Sequence, residues 1–120
     1  MKMSFCVYGE LFILDLEKVM YLEADDHYTI VYYATGGHFM LPFGLSCVLE
    51  TLEKKEGVKE YLIRLGRKYV VNTNYIMHVN VVKQIIQLYD NKGEMYTLHF
   101  PKQVLREFIV SIKKTFIEDS

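Results

Sequence analysis

Along the first 42 residues, apolar and β-branched side chains come in short runs separated by polar or glycine-bearing breaks, which is the spacing of successive strands. The pattern predicts strands over Phe5–Tyr8, Glu10–Leu14, Val19–Asp25, Tyr28–Ala34 and His38–Leu41. Thr35-Gly36-Gly37 joins the last two, since paired glycines accept the positive φ angles of a tight hairpin turn. The two-residue period of a strand places Tyr28, Ile30 and Tyr32 on one face and Thr29, Val31 and Tyr33 on the other. Tyr28 and Tyr32 either pack within the hairpin, the favoured reading, or stack on a sugar.

The period then changes. Leu45, Val48, Leu49 and Leu52 recur at helical spacing, with Glu50, Glu53, Lys54 and Lys55 on the other face and Gly57 as the stop. Beyond it, Tyr61–Arg64, Tyr69–Asn72, Val81–Tyr89 and Glu94–Phe100 read as strands, with Asp90-Asn91-Lys92-Gly93 as a second hairpin turn. Pro101 suits the first turn of a helix, and Val104, Leu105, Phe108, Ile109, Ile112 and Phe116 continue a helical stripe. Lys113 and Lys114 near its end favour the helix dipole. The expected fold is mainly β, with short antiparallel strands in stacked small sheets, one internal helix and a C-terminal helix.

Composition leaves that picture in the ordinary globular class: 51% hydrophobic residues are too many for a disordered chain, and 120 residues suit one domain over 1–120. No run approaches the roughly 20 apolar residues of a membrane-spanning helix. Cys6 and Cys47 lack a CxxC neighbour, and the charged start Met1-Lys2 does not read as a secretory leader, so a reducing cytoplasm is the expected location. A net charge of −1 argues against a polyanion partner until it is divided along the chain. Met1 to Ile63 holds five basic and ten acidic residues; Arg64 to Lys114 holds nine basic and three acidic. The second part can offer a polyanion an attractive face, because short-range potentials follow local charge.

Catalytic and metal chemistry find little support. The four histidines are scattered without metal-ligand spacing, and Asp25-Asp26-His27, the one carboxylate–histidine cluster, lacks further ligands. Cys47 stands beside the apolar stripe and reads as a small buried hydrophobe at a helix edge rather than a reactive thiol. No glycine-rich phosphate loop is present. Neither an enzyme nor a cofactor is expected. The segment Arg64-Leu65-Gly66-Arg67-Lys68-Tyr69-Val70-Val71-Asn72 places three cations in five residues before an apolar strand, which suits a solvated loop or a nucleic-acid contact.

The order Val19-Met20-Tyr21-Leu22-Glu23-Ala24-Asp25, then Tyr28, then Arg64 to Asn72 followed by Tyr75-Ile76, resembles the LytTR family of bacterial DNA-binding domains. Asp15 to Val19 resembles the family's lead-in, and Glu94 to Phe108 its closing strand and helix, so the likeness spans nearly the whole chain. It implies a sequence-specific transcriptional regulator that inserts loops, rather than a recognition helix, into successive major grooves of duplex DNA. The loops implied are Asp25 to Thr29, Gly66 to Lys68 and Pro101 to Gln103. The implied DNA-binding residues are His27, Thr29, Arg64, Arg67, Lys68, Lys102, Gln103 and Arg106. Tyr69, Val70 and Val71 are expected in the core, and Asn72 at a strand end closed by its side chain. The family's targets, paired direct repeats in promoters, imply two copies side by side. Its members commonly follow a receiver domain, or answer to a sensor or membrane protein. Three positions depart from the family pattern: Gly66 replaces a histidine, Lys68 a serine, and Pro101-Lys102-Gln103 a Ser-Arg-Arg-like run. The alternative is a protein-interaction module that keeps the fold without binding DNA.

Overall fold

The structure is a computed structural model and describes residues 1–112. Its strands are β1 (Lys2–Val7), β2 (Glu10–Asp15), β3 (Val19–Asp25), β4 (Tyr28–Tyr33), β5 (His38–Leu41), β6 (Leu62–Leu65), β7 (Tyr69–Asn72), β8 (Ile76–Asn80), β9 (Ile85–Tyr89) and β10 (Met95–His99). The helices are α1 (Leu45–Glu53) and α2 (Lys102–Ile112). Every strand pairing is antiparallel, and the strands form three small sheets, ordered β1-β2, β5-β4-β3-β7-β6 and β10-β9-β8.

The five-stranded sheet is the middle layer. On one side, Val19, Leu22, Val31, Leu41 and Val70 pack with Met3, Phe5 and Leu14 of the β1–β2 ribbon and with Leu45, Val48 and Leu52 of α1. On the other, Met20, Tyr21, Leu65 and Val71 pack with Ile86, Leu88 and Leu98 of the third sheet and with Leu105 and Phe108 of α2. Val19 to Leu22 are therefore all buried, as are Val70 and Val71, which explains why β3 and β7 read as continuous apolar runs. Burying each such side chain fully contributes about 1.5–3 kcal/mol relative to exposure.

Most predicted elements form, with boundaries moved by a few residues. β1 begins at Lys2, and Tyr8 falls in the turn after it; β4 stops at Tyr33, leaving Ala34 buried in the turn; β6 is shifted to Leu62–Leu65. The expected single strand Val81–Tyr89 is a correction. β8 precedes it, residues 81–84 turn, and only Ile85–Tyr89 is strand. The turn is built without glycine or proline: Asn80 Oδ1 accepts from the Lys83 amide at 2.9 Å, and Gln84 adopts φ +59°. Cys47 is also corrected, being exposed rather than buried, because the buried stripe of α1 runs through Leu45, Val48 and Leu52 and passes it by. Helix α2 follows Pro101 directly, while the predicted Phe116, Lys113 and Lys114 lie outside the described residues. Among the described residues no helix is long and apolar enough to cross a membrane.

Asn72 closes β7 as its position suggested. Fully buried, it donates from Nδ2 to the Val19 carbonyl at 2.8 Å and accepts from the Asn74 amide at 2.9 Å. These bonds pin the end of β7 to the start of β3. Asn72→Ala leaves buried backbone groups without partners, and we expect it to lower unfolding free energy by roughly 1–3 kcal/mol. Urea unfolding measures this, with Val82→Ala, at an exposed turn position, as a control expected to change little.

Candidate nucleic-acid interface

Two of the three loops singled out in the sequence, the β3–β4 and β6–β7 turns, lie side by side, and α2, which follows the third, packs beside the second turn through Val104. The β3–β4 turn is short, since Asp25 pairs with Tyr28 and leaves only Asp26 and His27 between the strands. Asp26 takes φ +56°, a left-handed conformation that aspartate tolerates better than most residues. The β6–β7 turn is Gly66-Arg67-Lys68, closed by the Leu65–Tyr69 pair. Gly66 has φ +68°, so glycine at the family's histidine position spares this backbone a strained side chain. The two turns are joined at their bases, where the Ala24 amide donates to the Lys68 carbonyl at 2.7 Å.

A cleft of about 540 Å³ between them is lined by Ala24, Asp26, His27, Arg64 and Arg67, and by Tyr8, Phe43 and Cys47 from neighbouring elements. The start of α2 adjoins the second turn from the other side. A Cβ on Gly66 would lie 4.0 Å from a methyl of Val104, and a second cleft is lined by residues 63–66 together with Val104, Glu107, Phe108 and Ser111 of α2. Lys102, Gln103 and Arg106 are exposed on α2.

The individual side chains divide by what they already hold. His27 is 90% exposed, with Nε2 3.7 Å from Asp26 Oδ1. Arg67 is exposed. Gln103 is exposed and donates to Glu107 Oε1 at 2.9 Å along the helix. Arg64 is committed to its own turn: Nε donates to the Gly66 carbonyl and Nη2 to the Arg67 carbonyl, both at 3.2 Å. Its guanidinium shapes the loop that presents Arg67. Thr29 must be withdrawn as a base-reading residue. It is fully buried, and its hydroxyl donates to the Phe43 carbonyl at 2.9 Å, because alternation along β4 turns it toward the α1 side. Tyr32 packs, stacking on Tyr21 with ring centroids 4.3 Å apart, whereas Tyr28 is 46% exposed beside the β3–β4 turn.

Lys68 is the most constrained of the cations. Its Nζ lies 3.2 Å from Glu23 Oε2 and over the Tyr69 ring, 5.6 Å from the centroid. The Glu23 hydrogen bond, followed by the field of Tyr69, holds the ammonium pKa above its ordinary value. Glu23 also accepts from the Tyr32 hydroxyl at 3.1 Å and from Tyr69 at 3.5 Å. Burial, then Tyr32 and Glu23 beside it, pushes the neighbouring Tyr21 phenol well above the usual range. Glu23 escapes sequence reading because only the pairing of Glu23 with Tyr69 brings it beside Lys68, 45 positions along the chain.

Among the described residues no three histidine, cysteine or carboxylate groups gather as a metal site. What these loops offer is hydrogen-bond donors held on short, well-anchored turns, the groups that contact phosphates and base edges.

No curated protein matches the sequence. Among solved structures, the chain is similar to the LytTr DNA-binding domain of a putative methyl-accepting/DNA response regulator from Bacillus cereus, at 20% identity and a TM-score of 0.63. That match covers 93% of this chain and 96% of the other, and it shows the shared fold. The family model of the LytTr DNA-binding domain matches residues 9–114, which takes in β2 through α2 and all three loops, and the chain therefore belongs to the LytTR family of DNA-binding domains.

Proposed function

We propose that this chain is a transcriptional regulator that binds duplex DNA through the edge formed by the β3–β4 turn, the β6–β7 turn and the start of α2, with the turns entering successive major grooves. The observation that carries the proposal is the meeting of His27 and Arg67 in one cleft from two turns far apart in sequence, with α2 packed through Val104 beside the second of them. Arg67, without a side-chain partner among the hydrogen bonds and ion pairs of the described residues, is the leading candidate to read guanine or grip phosphate; Lys102 and Arg106 add positive charge, and Gln103 a base-edge donor and acceptor. Arg64 acts through the loop it holds. A family that targets direct repeats supports two copies side by side on the promoter, and the response-regulator origin of the Bacillus cereus domain supports control by an upstream signal.

Mobility shift on duplex DNA at low and moderate salt tests this directly. Arg67→Ala and Lys102→Ala should each weaken binding by about 1 to 3 kcal/mol where a base is read bidentately. Absence of binding by the wild-type chain at low salt would favour the interaction-module reading instead.

Lys68 yields a second, quantitative expectation. A phosphate that binds Lys68 must compete with the Glu23 carboxylate, so the lysine contributes less than a free cation would. Glu23→Gln keeps an acceptor for the tyrosine hydroxyls while removing the charge. It should strengthen DNA binding and steepen the salt dependence by about one unit of slope. Adding Lys68→Ala to that variant should abolish the gain; a gain that survives would place its origin elsewhere.

A further inference from the structure

The β1–β2 ribbon ends in a turn of two residues, Tyr8 and Gly9, closed by the Val7–Glu10 pair. Both residues have positive φ, +49° and +79°, the geometry of a tight primed hairpin turn in which asparagine, aspartate or glycine is the usual first residue. A tyrosine is an outlier there. Nor does packing account for it, because Tyr8 is 99% exposed. A large aromatic side chain that is disfavoured by its backbone and unsupported by neighbours points to a role outside the folded core.

Position supplies that role. Val7 and Tyr8 form one wall of the 540 Å³ cleft whose other walls include Asp26, His27, Arg64 and Arg67. The hairpin tip therefore stands beside two of the three turns proposed to meet DNA. Its surroundings are mixed in charge: Glu10 follows the turn and Asp26 lines the cleft, so carboxylates there offset part of the pull of Arg64 and Arg67 on a phosphate. A neutral phenol tolerates that field. Its hydroxyl can donate to a phosphate oxygen, and its ring offers apolar area to a deoxyribose.

We infer that the β1–β2 hairpin tip is a fourth DNA-contacting element, in which Tyr8 lies against the sugar–phosphate backbone next to the groove entered by the β3–β4 turn. The inference rests on the DNA-binding reading above. Tyr8 itself lies just before the segment, 9–114, matched by the family model.

Tyr8→Asn is the informative substitution, because asparagine suits the left-handed turn and leaves the ribbon intact. The variant should keep or raise the thermal midpoint while weakening duplex binding about three- to tenfold. Its salt slope should stay unchanged, as no phosphate charge loses a cation. Tyr8→Phe should fall between the two, keeping the ring and losing the donor. A photoreactive benzoylphenylalanine at position 8 should crosslink to the duplex. Wild-type affinity in Tyr8→Asn, with Arg67→Ala still impaired, would overturn this contact and leave the DNA reading standing. Crosslinking to a second protein copy instead of DNA would also overturn it. A wild-type chain that binds no duplex at low salt would overturn both.

Discussion

In the central sheet β3 lies between β4 and β7, with Val19 and Leu22 turned toward the α1 side and Met20 and Tyr21 toward the α2 side. A strand buried on both faces cannot slip by one residue without exchanging its two sets of side chains between cores, so its register is strongly specified. The two pairings of β3 then decide where the neighbouring turns end. Asp25 opposite Tyr28 places the Asp26-His27 turn, and Glu23 opposite Tyr69 places Gly66 to Lys68 beside it. Asn72 and the Ala24–Lys68 backbone bond fasten β7 to β3 at opposite ends. Binding residues on such short, anchored turns lose little further freedom when they meet a partner.

The same registers decide which charges are free. Glu23 stands opposite Tyr69 in the β3–β7 pairing, and its carboxylate gathers Lys68, Tyr32 and Tyr69. A cation next to a carboxylate inside its own domain presents a weaker field to an approaching phosphate than its formal charge suggests. Arg64 shows a different loss of freedom: its charge persists, but two of its donors are spent on the loop carbonyls. Of the three cations in Arg64 to Lys68, Arg67 alone has no hydrogen bond or ion pair to its side chain among the described residues. On the proposed reading, the three serve as brace, probe and tethered reserve.

Much of the architecture was legible because local chemistry and tertiary burial agree. Gly36-Gly37 marks the β4–β5 turn, the stripe through Leu45, Val48 and Leu52 forms α1, and the apolar runs of β3 and β7 fit a strand buried on both faces. Legibility failed where side-chain chemistry stood in for the usual markers. The β8–β9 turn uses Asn80 and a left-handed Gln84 amid valines, so a strand-like composition hides a reversal. Within the loops that the resemblance implies, the sequence did not tell which side chains leave the protein. Thr29 differs from Tyr28 by one step of strand alternation, which is the difference between a buried hydroxyl held by Phe43 and a half-exposed ring. The role of Glu23 depends on a pairing 46 residues away, which no local pattern encodes.

On the proposed reading, the edge is electrically uneven along its length. At its acidic end lie Asp25 and Asp26 of the β3–β4 turn and Glu10 of the hairpin tip; Arg67, which shares a cleft with Asp26, forms the basic end together with the exposed Lys102 and Arg106 of α2. A polyanion of uniform charge is drawn to the second end and repelled at the first, so attraction alone favours contact through the β6–β7 turn and α2. The acidic end can approach only where neutral or hydrogen-bonding contacts repay the repulsion, and those depend on the shape and sequence of the duplex more than on its charge. Raising salt weakens both the attraction and the repulsion. Binding by the basic end therefore falls, while the relative weight of the His27 end grows. Affinity and selectivity are in this way assigned to opposite ends of one edge, and a net charge of −1 is compatible with a DNA-binding surface because the two ends do different work.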